Sequence, residues 1–298
     1  MNSRAQIRFL PDGRRLHLQD GPIDLIIEAF GDAGEVERAY RAACTRFETV
    51  LDELCGELPL LRQGCTPESQ WPRGAVARRM MAAVMPYAGE RFITPLAAVA
   101  GAVAEEILAE TLRATHLSRA YVNDGGDIAL HLSGEEKFVV GMVERPDRPS
   151  LFATTTLTAE NPARGIATSG WRGRSFSFGI ADAVTVLAGR AAAADAAATI
   201  IANAVDLPGH PAVVRIPARQ LAPDSDLGDR LVTRAVGNLN ASEVDDALAA
   251  GVRTAHRLLR IGLIRAAALC LCGEARVVGV EDSRMISSAA QERNLVHA

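Results

Sequence analysis

The first thirty residues hold three apolar stretches, at 6–10, 15–18 and 23–30, separated by the turn-forming triplets Pro11-Asp12-Gly13 and Gln19-Asp20-Gly21. The pattern predicts a β-meander. From 35 to 54 the period changes: Val36, Tyr40, Ala43, Phe47, Val50, Leu51 and Leu54 recur every three or four positions, as on one face of an amphipathic helix. Pro59, Gly64 and Pro67 are expected to end that helix within 56–71, and a short helix is expected over 75–85, stopping before Pro86. Thr94-Pro95 reads as an N-cap followed by a proline in the first turn, opening an alanine-rich helix to residue 112 that carries Glu105 and Glu106 and is buried on most sides. Strands are expected at 119–122, 128–132, 138–143, 166–168 and 183–187, then a helix within 189–206. The stretch 207–237 reads as irregular. A helix over 242–259 with Ser242 as its N-cap, an apolar run over 263–271 and a strand over 275–280 complete the pattern.

Three places interrupt the apolar runs with small and polar residues. In the segment GRAAAADAAATIIANAVD, Asp195 and Thr199 are the carboxylate and hydroxyl of an alanine-rich helix, four residues apart and so on one face. That oxygen pair suits a hard cation such as magnesium, although a helix with Asp195 in solvent near its positive end explains the same residues. Asn123-Asp124-Gly125-Gly126-Asp127 lies between two strands. Its glycines serve either a hairpin turn or the close approach of a ligand to backbone N–H groups, with Asn123 and Asp127 bonding the ligand's polar edges. Gly165 to Gly170, read GIATSG, has the glycine spacing of a phosphate loop but continues Trp171-Arg172 where that motif requires Lys and then Ser or Thr. A nucleoside triphosphatase is disfavoured. Thr168, Ser169 and Gly170 can still meet a phosphate, with Arg172 and Arg174 supplying charge.

Other candidate chemistry is weaker. No Gly-x-Ser-x-Gly elbow is present, and the six histidines, His17 through His297, show no ligand spacing and read as surface or core residues. Cys270 and Cys272 are expected on one face of a strand, with no second pair to complete a metal site. Asp224, Asp226 and Asp229 lack the glycine and glutamate of a calcium loop.

Composition narrows the classes further. With 298 residues, 48% of them hydrophobic and 23% charged, the chain can bury a substantial core, and without a linker-like stretch it reads as one body with two lobes. A net charge of -4 with dispersed Lys and Arg disfavours nucleic-acid polymers, and 4% aromatic residues leave little for base stacking. Five cysteines, an odd number, and an amino terminus without a long apolar stretch make a reducing cytoplasm the expected compartment. No apolar run reaches the length of a membrane span.

In order and spacing the clusters resemble the ApbE-type flavin transferases, which split FAD with magnesium and attach FMN to a threonine or serine of a target protein. Asn123 to Asp127 is similar to that family's Asn-x-Gly-Gly-Asp motif. Asp182-Ala183-Val184-Thr185-Val186, followed by Asp195 and Thr199, is similar to its valine-rich strand and the Asp-x-x-x-Thr helix that supplies magnesium ligands. The resemblance spans about residues 90–206. It implies an α+β, T-fold-like body in which antiparallel sheets pack against helices. It also implies Mg²⁺ at Asp195 and Thr199, and FAD or a related pyrophosphate nucleotide held by Asn123, Gly125, Gly126, Asp127, Thr168, Ser169 and Gly170. Asp182 is the candidate general base, and an acceptor protein and a possible homo-oligomer complete the expected partners. Two departures stand out: Val99-Ala100-Gly101-Ala102 replaces an Ala-Lys-Gly-Tyr-like sequence, and Ser175-Phe176-Ser177-Phe178-Gly179 replaces a His-Ile-Ile-Asp-Pro-like one. They are what an uncharacterised cytoplasmic branch would show. The alternatives are a phosphoester or pyrophosphate hydrolase on the same scaffold and a non-catalytic flavin- or nucleotide-binding module.

Overall fold

The computed structural model describes residues 4–143, 151–279 and 284–285. The chain divides into two compact units: Met1–Lys137 with Thr158–Ala167 and Gly189–Ala196, and Phe138–Leu157 with Thr168–Ala188 and Ala197–Ala298.

The first unit opens with the expected meander, β1 (Gln6–Phe9), β2 (Leu16–Asp20) and β3 (Ile23–Phe30), paired antiparallel. Leu16, Leu18, Ile23, Leu25 and Ile27 are buried and anchor β2 and β3, while β1 is exposed throughout. Helix α1 (Ala33–Leu61) runs past the expected break. Pro59 stands in its last turn, where the missing N–H costs a single hydrogen bond, and the fully buried Leu61 holds that turn down. Helix α2 (Ala75–Val84) tightens into a 3₁₀ turn at Met85–Tyr87, where Pro86 ends it as expected.

Thr94-Pro95 opens a short 3₁₀ turn, Pro95–Ala98, and Thr94 makes no side-chain cap. The α-helix, α3 (Val99–Ala114), therefore starts later than expected, and its free N–H groups are satisfied from elsewhere. Strands β4 (Arg119–Asp124) and β5 (Asp127–Leu132) form a hairpin beside β3, and α3 packs on both.

The second unit carries β6 (Lys137–Val143, from Phe138 onward) and β7 (Leu151–Thr158). The threonine-rich sequence of β7 hid it from the apolar pattern. Strand β8 (Gly165–Ser169) begins in the first unit, where it pairs with β5, and ends in the second. The wholly buried β9 (Ala183–Ala188) follows, then α4 (Ala191–Ala204), whose residues up to Ala196 belong to the first unit.

The region expected to be irregular contains a hairpin, β10 (Val213–Pro217) and β11 (Leu231–Val236), bridged by the short α5 (Ala218–Leu221). A bulge between Val214 and Arg215 breaks its alternation and blurs the sequence signal. Helix α6 (Ala241–Arg260) is capped by Asn240, not Ser242. Asn240 and Glu243 form a reciprocal capping box, with bonds of 3.0 and 2.7 Å. Strands β12 (Ala266–Leu271) and β13 (Glu274–Val278) extend from β9 in the antiparallel order β9-β12-β13, with α6 against β12, and β14 (Arg284–Met285) pairs with β7.

The chain is thus α+β with antiparallel sheets packed against helices. Among the described residues, no helix is long and apolar enough to cross a membrane. Cys270 lies buried in β12, but Cys272 sits exposed in the following turn with φ +50°, so the two thiols do not share a strand face. Val280 and His297 lie outside the described residues.

Candidate functional site

In the first unit the Asn123 to Asp127 segment is the two-residue turn joining β4 to β5. Gly125 and Gly126 take φ of +62° and +112°, the backbone a tight hairpin requires, and Asp124 and Asp127 close the turn as cross-strand partners. Asn123 Oδ1 accepts the Gly126 N–H at 2.8 Å, fixing the turn from within. A Cβ on Gly126 would meet nothing within 4 Å, so its backbone borders open space. Asp124 is buried, and its Oδ1 lies 3.4 Å from the Asp24 N–H. Asp24 in turn stands 2.6 Å from Nε2 of the buried His17, whose Nδ1 accepts from Arg8 Nε at 3.0 Å.

Asp195, on α4, answers the question left by α3. Its Oδ2 accepts the Gly101 N–H at 3.1 Å, so a carboxylate from one helix satisfies the free first-turn donor of another. Glu105 of α3 returns the contact to the first turn of α4, its Oε2 3.4 Å from the Ala192 N–H. Glu105 Oε1 also accepts from Arg79 at 2.6 Å and Arg190 at 2.5 Å, while Glu106 accepts from Arg79 and Arg46 at 2.8 and 3.0 Å.

The approach is close enough to need glycine. A Cβ on Gly101 would stand 2.4 Å from the Ala191 carbonyl oxygen, and one on Gly165 would stand 2.2 Å from the Arg190 carbonyl carbon. Burial pushes the Asp195 carboxyl up to about 7; the N–H groups of Gly101 and Ala100 oppose the rise, and the Asp124 carboxylate adds to it. Asp195 therefore does not point freely into solvent, as an ordinary surface helix would have it. Thr199 lies one turn further along α4, and both residues are partly exposed on a helix otherwise mostly buried.

The second unit gathers Thr168, Ser169, Gly170 and Asp182. Thr168 Oγ1 is 2.8 Å from Oγ1 of the buried Thr185, and a Cβ on Gly170 would lie 2.5 Å from the Asp182 carbonyl oxygen, so that glycine serves strand packing. Asp182 Oδ1 accepts from Arg172 Nε at 2.5 Å, and Oδ2 accepts the Cys272 N–H at 2.7 Å. Through both oxygens the buried Asp182 holds Arg172 and the β12–β13 turn. Arg172 also stacks on the Trp171 ring at 4.3 Å. Asp182→Asn leaves the Arg172 guanidinium without its counter-charge and is expected to cost about 2 kcal/mol in urea melts. Any activity should keep its pH profile, whereas loss of a base would remove the acidic limb.

Asp124 and the Gly101 N–H are the site features that sequence reasoning missed. Asp124 was visible as the variable position of the Asn-x-Gly-Gly-Asp motif, and Gly101 as the glycine that survives beside the absent lysine.

A family model described as AbpE bacteria matches residues 7–277. A UPF0280 protein of Methanopyrus kandleri is 39% identical over 128 residues, which cover 43% of this chain and 48% of that protein. Another, from Methanosphaerula palustris, is 35% identical over 141 residues, 44% of this chain and 53% of that protein. The chain spans about half the length of the curated relatives it matches. The apo crystal structure of Pseudomonas stutzeri flavinyl transferase ApbE aligns with 93% of this chain and 95% of that one, at 10% identity and a TM-score of 0.42.

Proposed function

The chain belongs to the bacterial AbpE family, and from that premise we propose that it is a magnesium-dependent, flavin-transferase-like enzyme acting on the pyrophosphate of FAD or a related nucleotide. The observation that carries this reading is the Asp195 carboxylate, pinned by the Gly101 N–H and set against Asp124. Two carboxylates that repel one another in a poorly solvated place suit a hard divalent cation. Asp195 and Asp124 would hold the ion, with the Thr199 hydroxyl on the same face of α4. The chemistry such an ion supplies is neutralisation of charge on phosphate oxygens.

The protein's own groups do the rest. The Gly125-Gly126 turn, bordered by open space at Gly126, offers a close approach to a nucleotide, with Asn123 and Asp127 holding the turn's shape. Thr168, Ser169 and Gly170 are proposed as nucleotide contacts of the second unit, where Arg172, oriented by Asp182, supplies positive charge. In the proposed transfer an acceptor hydroxyl oxygen bonds to the FMN phosphorus and the bond to the AMP oxygen breaks. AMP leaves, and the hydroxyl proton passes to water.

The test is incubation of the protein with FAD and Mg²⁺, followed by chromatography and mass spectrometry. AMP release with a flavinylated serine or threonine is the expected result when an acceptor is supplied. AMP with free FMN would make the protein a hydrolase, and FAD bound without turnover a binding module.

A further inference from the structure

Away from the carboxylates, the first unit brings three sulfur atoms together. The buried Cys65 Sγ, on the segment after α1, lies 3.7 Å from Met81 Sδ and 3.4 Å from Met85 Sδ. Met81 lies in the last turn of α2 and Met85 opens the 3₁₀ turn that continues it, so the two thioethers leave one side of a helix a turn apart. The main chain at Cys65 is fixed as well, because its N–H bonds to the Ile93 carbonyl at 2.7 Å. Cys65 and Met81 are buried, whereas Met85 is partly exposed and gives a small ion a way in.

The donor set is soft. One thiolate and two thioethers favour monovalent copper over magnesium, calcium or manganese, which take oxygen ligands. With a metal–sulfur bond of about 2.3 Å, three sulfurs around one trigonal ion stand about 4 Å apart. The present spacings of 3.4 and 3.7 Å must open by only a few tenths of an ångström, well within the reach of unbranched methionine side chains. The geometry points to a Cu(I) site formed by Cys65, Met81 and Met85. Binding replaces the Cys65 S–H bond with an S–Cu bond and releases the proton to water, with no change in oxidation state. This site shares no residue with the proposed flavin chemistry and stands or falls independently of it.

Full-length protein is titrated anaerobically against the coloured Cu(I)–bicinchoninate complex, and copper withdrawal is read from the loss of absorbance. One equivalent is expected to transfer. Cys55→Ser with Cys272→Ser, which removes the two exposed thiols, is expected to leave that equivalent in place. Met85→Leu, close in volume and partly exposed, is expected to weaken binding at least tenfold with an unchanged circular dichroism spectrum, and Cys65→Ser to abolish it. If Cys65→Ser does not fold, Met85→Leu decides alone. No withdrawal, wild-type affinity in Met85→Leu, or loss of the equivalent with the exposed thiols would each overturn the site.

Discussion

Replacing Gly101 with alanine should cost about 3 kcal/mol or more, an unusually large effect for the addition of one methyl group. The new Cβ would sit 2.4 Å from the Ala191 carbonyl oxygen and 2.8 Å from the Ala192 nitrogen, both backbone atoms that cannot swing aside. The start of α4 would have to lift away from α3, stretching the Gly101 to Asp195 bond and the Glu105 contact to Ala192 together. A matched control lies in α1, where Gly56 is exposed and a Cβ would meet nothing within 4 Å. Gly56→Ala should stabilise the protein by about 1 kcal/mol, because alanine loses less backbone freedom in a helix than glycine does. Urea melts of the two variants should thus shift in opposite directions. A Gly101→Ala midpoint equal to wild type would mean that the helices do not meet as closely as described.

The second large effect is a pH dependence. Asp195 has an ordinary value of 3.8 and is raised to about 7 in the folded, metal-free protein. Between those values the folded state holds a proton that the unfolded chain has lost, so stability falls as pH rises. The contribution is complete below about pH 4 and gone once the pH has passed 7, a total of about 4 kcal/mol at most. In EDTA, unfolding free energy should drop between pH 5 and 7.5, and Asp195→Asn should flatten that slope. The asparagine oxygen can still accept the Gly101 N–H, so the variant keeps the contact between helices while removing the charge. Above pH 7 it should be more stable than the metal-free wild type. Identical slopes in the two proteins would assign the titration to another group.

Much of the framework was legible because its signals are local. The meander, the α1 face from Val36 to Leu54 and the hairpin around Gly125-Gly126 each follow from periodicity or turn chemistry within a few residues. The misplaced features depend on distant partners. The start of α3 is satisfied by a carboxylate 94 positions away, which no capping rule read along the chain can find. At Gly101, Gly165 and Gly170 a backbone from another segment passes within reach of a Cβ, a constraint that local motifs do not show. The bonds that Asp182 makes to Arg172 and to the Cys272 N–H were likewise not readable from its sequence neighbours. The Asp195 and Thr199 spacing was readable from sequence, but the partnership of Asp195 with Asp124 was not.

The central claim is that Asp195 belongs to a divalent cation site, and electron paramagnetic resonance of Mn²⁺ tests it most directly. Manganese replaces magnesium at oxygen sites, and its free-ion signal falls as it binds. Titrated into wild-type protein with FAD at neutral pH, it should reveal one bound ion that Mg²⁺ competes away. Asp195→Asn should weaken that binding by about a hundredfold, a loss of about 2.7 kcal/mol. Equal Mn²⁺ affinity in wild type and a folded Asp195→Asn would contradict the account.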